Sequence, residues 1–293
     1  MSTKIVTSVG DPNAQKRFME SHKAFLEEFP SLEELVYEAF RLSEEKCYPE
    51  SQSTPVGAEP PGEEVAQKVV LYLERAIFDD FGELLILAGN GLGIGAKKTL
   101  RSMYERLVTA MFIAKFPAEA ATFLAHADIE KGKVLSRAVE TVPELVSRDF
   151  TPEEIKKILD AKKAAEARKK VEYCKECAQP KTDEAWTRVN LDAMAKKVED
   201  DLLKMYGPYY LTPTLLTHAT PFGLDLRFRK TDAAPDQVAL NEKYARSSVW
   251  RGHYLMLWLL RHQDSYFNLG LKLRIDASCT AFSAIWPEDV EGS

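Results

Sequence analysis

From Glu63 to Phe116 the chain is written almost entirely in helical period. Val65, Val69, Leu73, Ile77, Phe81, Leu84 and Ala88 recur every three or four positions, and Leu100, Met103, Tyr104, Leu107, Met111 and Phe112 repeat the pattern after one interruption. Such spacing gives each of two helices an apolar stripe and leaves nothing with the alternation of a strand. The interruption is LAGNGLGIGA, Leu87 to Ala96, in which four glycines stand at alternate positions.

Glycines ahead of a helix invite comparison with phosphate loops. A P-loop needs GxxxxGK followed by Ser or Thr, because its amides wrap the phosphates and its lysine reaches their oxygens. Here Lys97 follows Ala96, and Lys98 precedes Thr99 with no glycine before it. A dinucleotide loop needs GxGxxG between a strand and a helix. Gly91, Gly93 and Gly95 give GxGxG between two helices. The stretch therefore reads as a corner that ends one helix near Ala88, turns the chain and lets the next, from about Lys97, pack closely. The amides at the start of that second helix remain able to hold an anion.

The other segments follow the same period. Ser31 and Glu34 form a capping box, which predicts a helix from about Leu32 to Cys47, and YPESQSTPVGAEPPG then reads as a proline-rich linker. Pro117 ends the second helix of the pair, and Thr151, Pro152 and Glu154 open a later one. Helical patterns continue through NLDAMAKKVEDDLLKMY, from about Pro235 to Leu260 and from Ser265 to about Ile275, while LDLRFRK alternates too briefly to anchor a sheet. The expected fold is all-α: a multi-helix bundle over 63–285 with an N-terminal helical arm over 1–48, a linker over 49–62 and a tail over 286–293.

Composition bounds the function. A net charge of -6 disfavours constitutive binding to nucleic acid or anionic membrane, which draws on Lys and Arg. No apolar run reaches the length of a membrane span, and the N-terminus lacks the apolar core of a secretory signal, so a cytoplasmic location is expected. Cys174 and Cys177 form CKEC in a charged run with no second ligand pair, and Cys47 and Cys279 are isolated, so no zinc or redox site is expected. Asp79, Asp80 and Glu83 share a helical turn but lack an ExxH partner and read as a solvated face rather than a metal site. KKAAEARKK is interleaved with acidic residues and reads as an exposed, charge-laced helix. No cofactor is implied.

GNGLGIGAKKTLRSMYERLVTAMFIAKFPAEAATFL resembles the core signature of an uncharacterised, mostly bacterial helical family catalogued as domain of unknown function 5677: a small-residue corner, an Arg-Ser-x-x-Glu helix and a proline-bounded break. The stretch from Trp186 through YGPYYLTPTLLTHATPFGL is similar to its second signature, a tyrosine-rich turn before a hydroxyl residue and a histidine. The resemblance runs roughly from Val65 to Leu226. It points to Arg101, Glu105, Trp186, Tyr210 and His218 as ligand-binding residues. Some members carry an arginine before the hydroxyl and histidine, at the spacing of HEPN-type ribonucleases, where this chain has Tyr209, Tyr210 and Leu211.

Three readings follow. In the leading one the bundle encloses a polar pocket of Arg101, Glu105, Tyr210 and His218 that binds a small anionic ligand or a protein partner; Arg101 and Glu105, four apart, share a helix face. The alternative is a metal-independent, HEPN-like ribonuclease of defence or toxin type. Its general acid would be His253, seven positions after Arg246, or His218, and it alone would bring nucleic acid as a partner, with a homodimer to complete the site. The third is an interaction scaffold without pocket chemistry.

Overall fold

The computed structural model describes residues 13–48, 62–168, 186–187, 189–217, 221, 223–224 and 237–287. Every regular element among them is helical and none is a strand, so the fold is the all-α, multi-helix bundle that the periodicity implies. In chain order the helices are α1 (Ala14–Ser21), α2 (Lys23–Cys47), α3 (Gly62–Gly89), α4 (Gly93–Lys115), α5 (Glu119–Thr141), α6 (Pro143–Asp149), α7 (Pro152–Arg168), α8 (Leu191–Val198), α9 (Asp200–Met205), α10 (Thr212–Thr217), α11 (Gln237–Phe267) and α12 (Lys272–Ile285). A π-helical turn, Tyr206–Leu211, joins α9 to α10.

The chain divides into two units, and the boundary falls inside the stretch expected to be one bundle. Among the described residues the first unit takes 13–48, 67–115 and everything from Leu191 onward, and the second takes 62–66 and 116–190. In the first, α4 and α11 form the central pair, and Leu100, Met103, Tyr104, Leu107, Leu255, Met256 and Leu259 are fully buried. The N-terminal helices, expected to form an arm, bring Phe25, Leu32, Leu35 and Val36 into this same unit, where α2 packs on α11 and α12. An arm with that much buried apolar surface is a layer of the core. In the second unit α5 packs along α7 and buries Ile129, Leu135 and Ala165. Gly132 permits the close approach, since a Cβ there would meet the Lys162 side chain at 2.5 Å.

Local signals were obeyed unevenly. The Thr151 box closes as expected, with the Thr151 N–H donating to Glu154 Oε2 at 2.8 Å and the Glu154 N–H to Thr151 Oγ1 at 3.2 Å. The Ser31 box does not: α2 begins at Lys23 and runs through Pro30. Burying Phe25 in the first turn outweighs the single backbone hydrogen bond that Pro30 removes. The corner at Leu87 to Ala96 is tighter than expected. Gly91 takes φ +73° at the turn, and α4 already starts at Gly93, so Gly93 and Gly95 lie in its first turn. The last helical pair also shifts: α11 extends to Phe267, and the chain turns through Asn268 and Gly270, both with positive φ. CKEC, most of LDLRFRK and the proline-rich linker lie outside the described residues.

Candidate functional site

Helix α4 carries the site, and Gly93 sets its position. A Cβ there would stand 2.0 Å from the Asn241 carbonyl oxygen, so only glycine lets α4 begin directly against α11. The Asn241 side chain accepts the Ile94 N–H at 3.4 Å, which takes up one amide of the helix start. Because α4 begins at Gly93, Arg101 lies two turns inside the helix rather than in its first turn.

Arg101 is brought to Tyr210 by the π-helical turn. Pro208 has no N–H to continue the α9 ladder, and the backbone widens across Tyr206–Leu211. Tyr104 pins the segment, its hydroxyl donating to the Leu202 carbonyl at 2.7 Å. The turn then presents successive aromatic rings to α4, with Tyr209 and Tyr210 6.1 and 6.4 Å from the Tyr104 ring and Tyr206 stacked on Tyr210 at 5.3 Å. The Arg101 guanidinium lies 4.8 Å from the centre of the Tyr210 ring and donates through Nη2 to its hydroxyl at 3.2 Å. Glu105 follows one turn later, 3.8 Å from Arg101; the arginine side chain is 26% exposed and the glutamate 50%. Burial pushes the Tyr206 hydroxyl above its ordinary range, with Asp192 and Tyr210 adding to the effect and Arg101 opposing it.

Of the residues expected to meet, then, Arg101, Glu105 and Tyr210 do. His218 lies outside the described residues. Trp186 belongs to the second unit, where its ring meets Phe123 edge-on at 5.1 Å. Arg246 and His253 share a face of α11 but occupy different surroundings. Arg246 is exposed, whereas His253 is 1% exposed between Phe25 and Phe282 and accepts the Trp286 indole N–H at Nδ1, 3.3 Å away. Burial pushes the His253 imidazole down to about 4. A neutral ring enclosed by aromatics offers no acid to a ribose oxygen in this packing.

Two cations of the site were not anticipated. Lys97 stands one turn before Arg101 and is only 3% exposed. Burial, with the neighbouring Arg251, pulls its ammonium down to about 7, and among the described residues no carboxylate acts on it. Arg251 lies 5.6 Å from the centre of the Tyr209 ring and 5.1 Å from that of Trp250. The sequence did hold a signal: Lys97, Leu100, Tyr104, Leu107 and Met111 form one stripe, and a lysine on an apolar stripe is a buried charge in waiting. Asp80 was another miss. It is buried and paired with Arg106, not solvated with its neighbours.

One comparison bears on this arrangement. Residues 67–235, which include Lys97, Arg101, Glu105 and the tyrosine-rich turn, match the model of a family described as a family of unknown function (DUF5677). The chain belongs to that family. Arg251 and the rest of α11 lie beyond the matched span of DUF5677. No curated protein and no solved structure matches the chain.

Proposed function

We propose that the first unit of this DUF5677 protein binds a small anionic molecule over α4, between Arg101 and the tyrosine-rich turn. One observation carries the reading: Lys97 is buried with no carboxylate beside it among the described residues and has a second cation, Arg251, as its charged neighbour. Removing an ammonium from water without a counter-ion is costly, and proteins resolve such a charge by deprotonation or by a bound anion. Arg101, held by Tyr210 and one turn away, adds a planar set of donors suited to a carboxylate or phosphate. The tyrosine hydroxyls supply neutral donors beside it. No helix among the described residues is long and apolar enough to cross a membrane. We place the protein in the cytoplasm, where anionic metabolites are abundant.

Calorimetric titration of the full chain with inorganic phosphate, sulfate and succinate tests the reading. At least one of them binds, Lys97→Met abolishes the heat, Arg101→Gln weakens it at least tenfold, and Lys131→Gln, at an exposed position of the second unit, changes nothing. Absence of binding by all three anions, or binding that survives Lys97→Met, overturns it.

A further inference from the structure

A lysine enclosed by apolar side chains differs from a surface lysine in reactivity as well as in charge. Lys97 is 3% exposed on the buried stripe of α4, with Leu100 and Tyr104 fully enclosed one and two turns further on. Among the described residues its nitrogen makes no hydrogen bond and no ion pair. Unlike Arg101 Nε, which is enclosed without a partner, the Lys97 nitrogen keeps some contact with solvent. Its charged neighbour is Arg251, whose guanidinium is held over the Tyr209 and Trp250 rings at 5.6 and 5.1 Å.

These surroundings suit one small electrophile. Carbon dioxide combines only with an uncharged amine, and an ordinary lysine is uncharged in roughly one molecule in three hundred at pH 8. Lys97, brought down to about 7 by burial and by Arg251, is uncharged in most molecules at that pH. Carbon dioxide is itself small and carries no charge, so it reaches a nearly enclosed nitrogen without the desolvation cost that an ion meets. The product also fits better than the reactant. As an ammonium, Lys97 meets Arg251 as a like charge. As a carbamate it presents two anionic oxygens to that guanidinium, with Arg101 one turn along the same helix, and among the described residues no carboxylate acts on it in competition.

We propose that Lys97 is a modification site at which the lysine nitrogen takes up carbon dioxide and places a carbamate beside Arg251. The nitrogen lone pair attacks the carbon and a C–N bond forms. One C=O electron pair moves onto oxygen, and an N–H proton leaves to water, so the step consumes no oxidant or reductant. The modification reverses the sign of the side chain, and a carbamylated chain no longer offers this amine to the anion proposed above. The carbamate uses the same buried nitrogen as that reading but does not require it: one is read at residue 97 itself, the other as heat from an added anion.

Trapping tests the proposal. The full chain is equilibrated at pH 8 with carbon-13-labelled carbon dioxide and bicarbonate, alkylated with a trialkyloxonium salt to fix any carbamate as its ester, digested and weighed peptide by peptide. The chain's α-amine, with an ordinary value near 8, is labelled too and calibrates the trap. The label at residue 97 exceeds that at any other lysine at least tenfold. Lys97→Met removes it together with one carbamate resonance in the carbon-13 spectrum, and Lys98→Met, at the exposed position next to it, leaves both in place. Arg251→Gln lowers the label at residue 97 at least fivefold. The peptide masses locate the site in the parent chain, so the result does not depend on the variants folding. Label spread evenly over the lysines, a labelled α-amine with no label at residue 97, or a label there that Arg251→Gln leaves unchanged overturns the assignment.

Discussion

Gly93 and Asn241 lie so close that a methyl group on the glycine would stand 2.0 Å from the asparagine carbonyl oxygen, with the Ala245 amide nitrogen 2.8 Å away. Both obstacles are backbone, so neither can rotate aside, and helix α4 must separate from α11 to admit a side chain. Gly93→Ala is expected to cost about 3 kcal/mol or more, the upper end of overpacking penalties. Gly82, inside α3 with nothing within 4 Å of its virtual Cβ, is the control. There alanine stabilises by roughly 0.5–1 kcal/mol through helix propensity. Urea denaturation of the two variants reads both values, and a Gly93→Ala protein as stable as its parent would remove the close approach from the account.

His253 predicts an acid limb to the stability curve. Its imidazole titrates near 4 in the folded chain because burial among Phe25, Phe282 and Trp286 disfavours the charged ring, against an ordinary value of 6.5. The folded state therefore binds fewer protons than the unfolded state between those limits. The contribution is fully present above pH 6.5 and is lost as pH falls toward 4, amounting to about 3 kcal/mol at roughly 1.4 kcal/mol per unit. His22, shifted in the same direction, steepens the limb. In His253→Gln, which does not titrate and keeps an acceptor for the Trp286 indole, the loss between pH 6.5 and 4 is smaller by that amount; equal losses in parent and variant would place the titration elsewhere.

The stripes of α3 and α4 were legible because apolar residues at helical spacing admit one folding solution. The polar members of those stripes were not read for what they are. Glu74 falls in line with Val70, Ile77 and Phe81, as Lys97 does with Leu100 and Tyr104, and both are buried. Periodicity had marked these positions, but hydropathy discounted the residues that occupied them. The Arg101, Glu105 and Tyr210 grouping was reachable only through resemblance, because the π-helical turn that presents Tyr210 has no periodic signature. Arg251 reaches Lys97 and the Tyr209 ring from a helix about 150 residues later, a juxtaposition made by tertiary packing alone. The Ser31 box was misleading for a related reason: a local capping signal worth about 1 kcal/mol yields to the burial of a phenylalanine.

Glu74 and His262 should behave as one unit. Glu74 is fully buried on α3, and His262 Nδ1 on α11 lies 2.7 Å from its Oε1. Burial raises the Glu74 carboxyl, and the His262 contact opposes that rise. Removing either partner leaves the other without its main polar neighbour, with only Gln263 remaining beside Glu74, so Glu74→Leu and His262→Leu are each expected to cost about 3 kcal/mol or more. The double variant strands neither and costs less than the sum by about 1–3 kcal/mol. A double-mutant cycle in urea measures the difference, and strict additivity would show that the contact contributes nothing.

Lys97 gives the proposed anion site a pH dependence of fixed sign. Its ammonium titrates near 7 in the folded chain against an ordinary 10.5, with burial as the main cause and Arg251 second. Between those values the unfolded chain binds more protons, so stability rises with pH from about 7 to 10.5. Below 7 the fold must carry the buried charge in full. Lys97→Met, which keeps the stem and removes the charge, is therefore expected to exceed the parent by a few kcal/mol at pH 6 and to lose that advantage by pH 10. An anion reverses the comparison, because it binds the charged form. Sulfate, whose own charge is constant across this range, should raise the parent's Tm more at pH 6 than at pH 9. The variant shows only the pH-independent rise that sulfate gives through exclusion from protein surfaces. A sulfate effect on the parent no larger at pH 6 than at pH 9 would show that Lys97 is relieved by deprotonation alone and that no anion sits beside it.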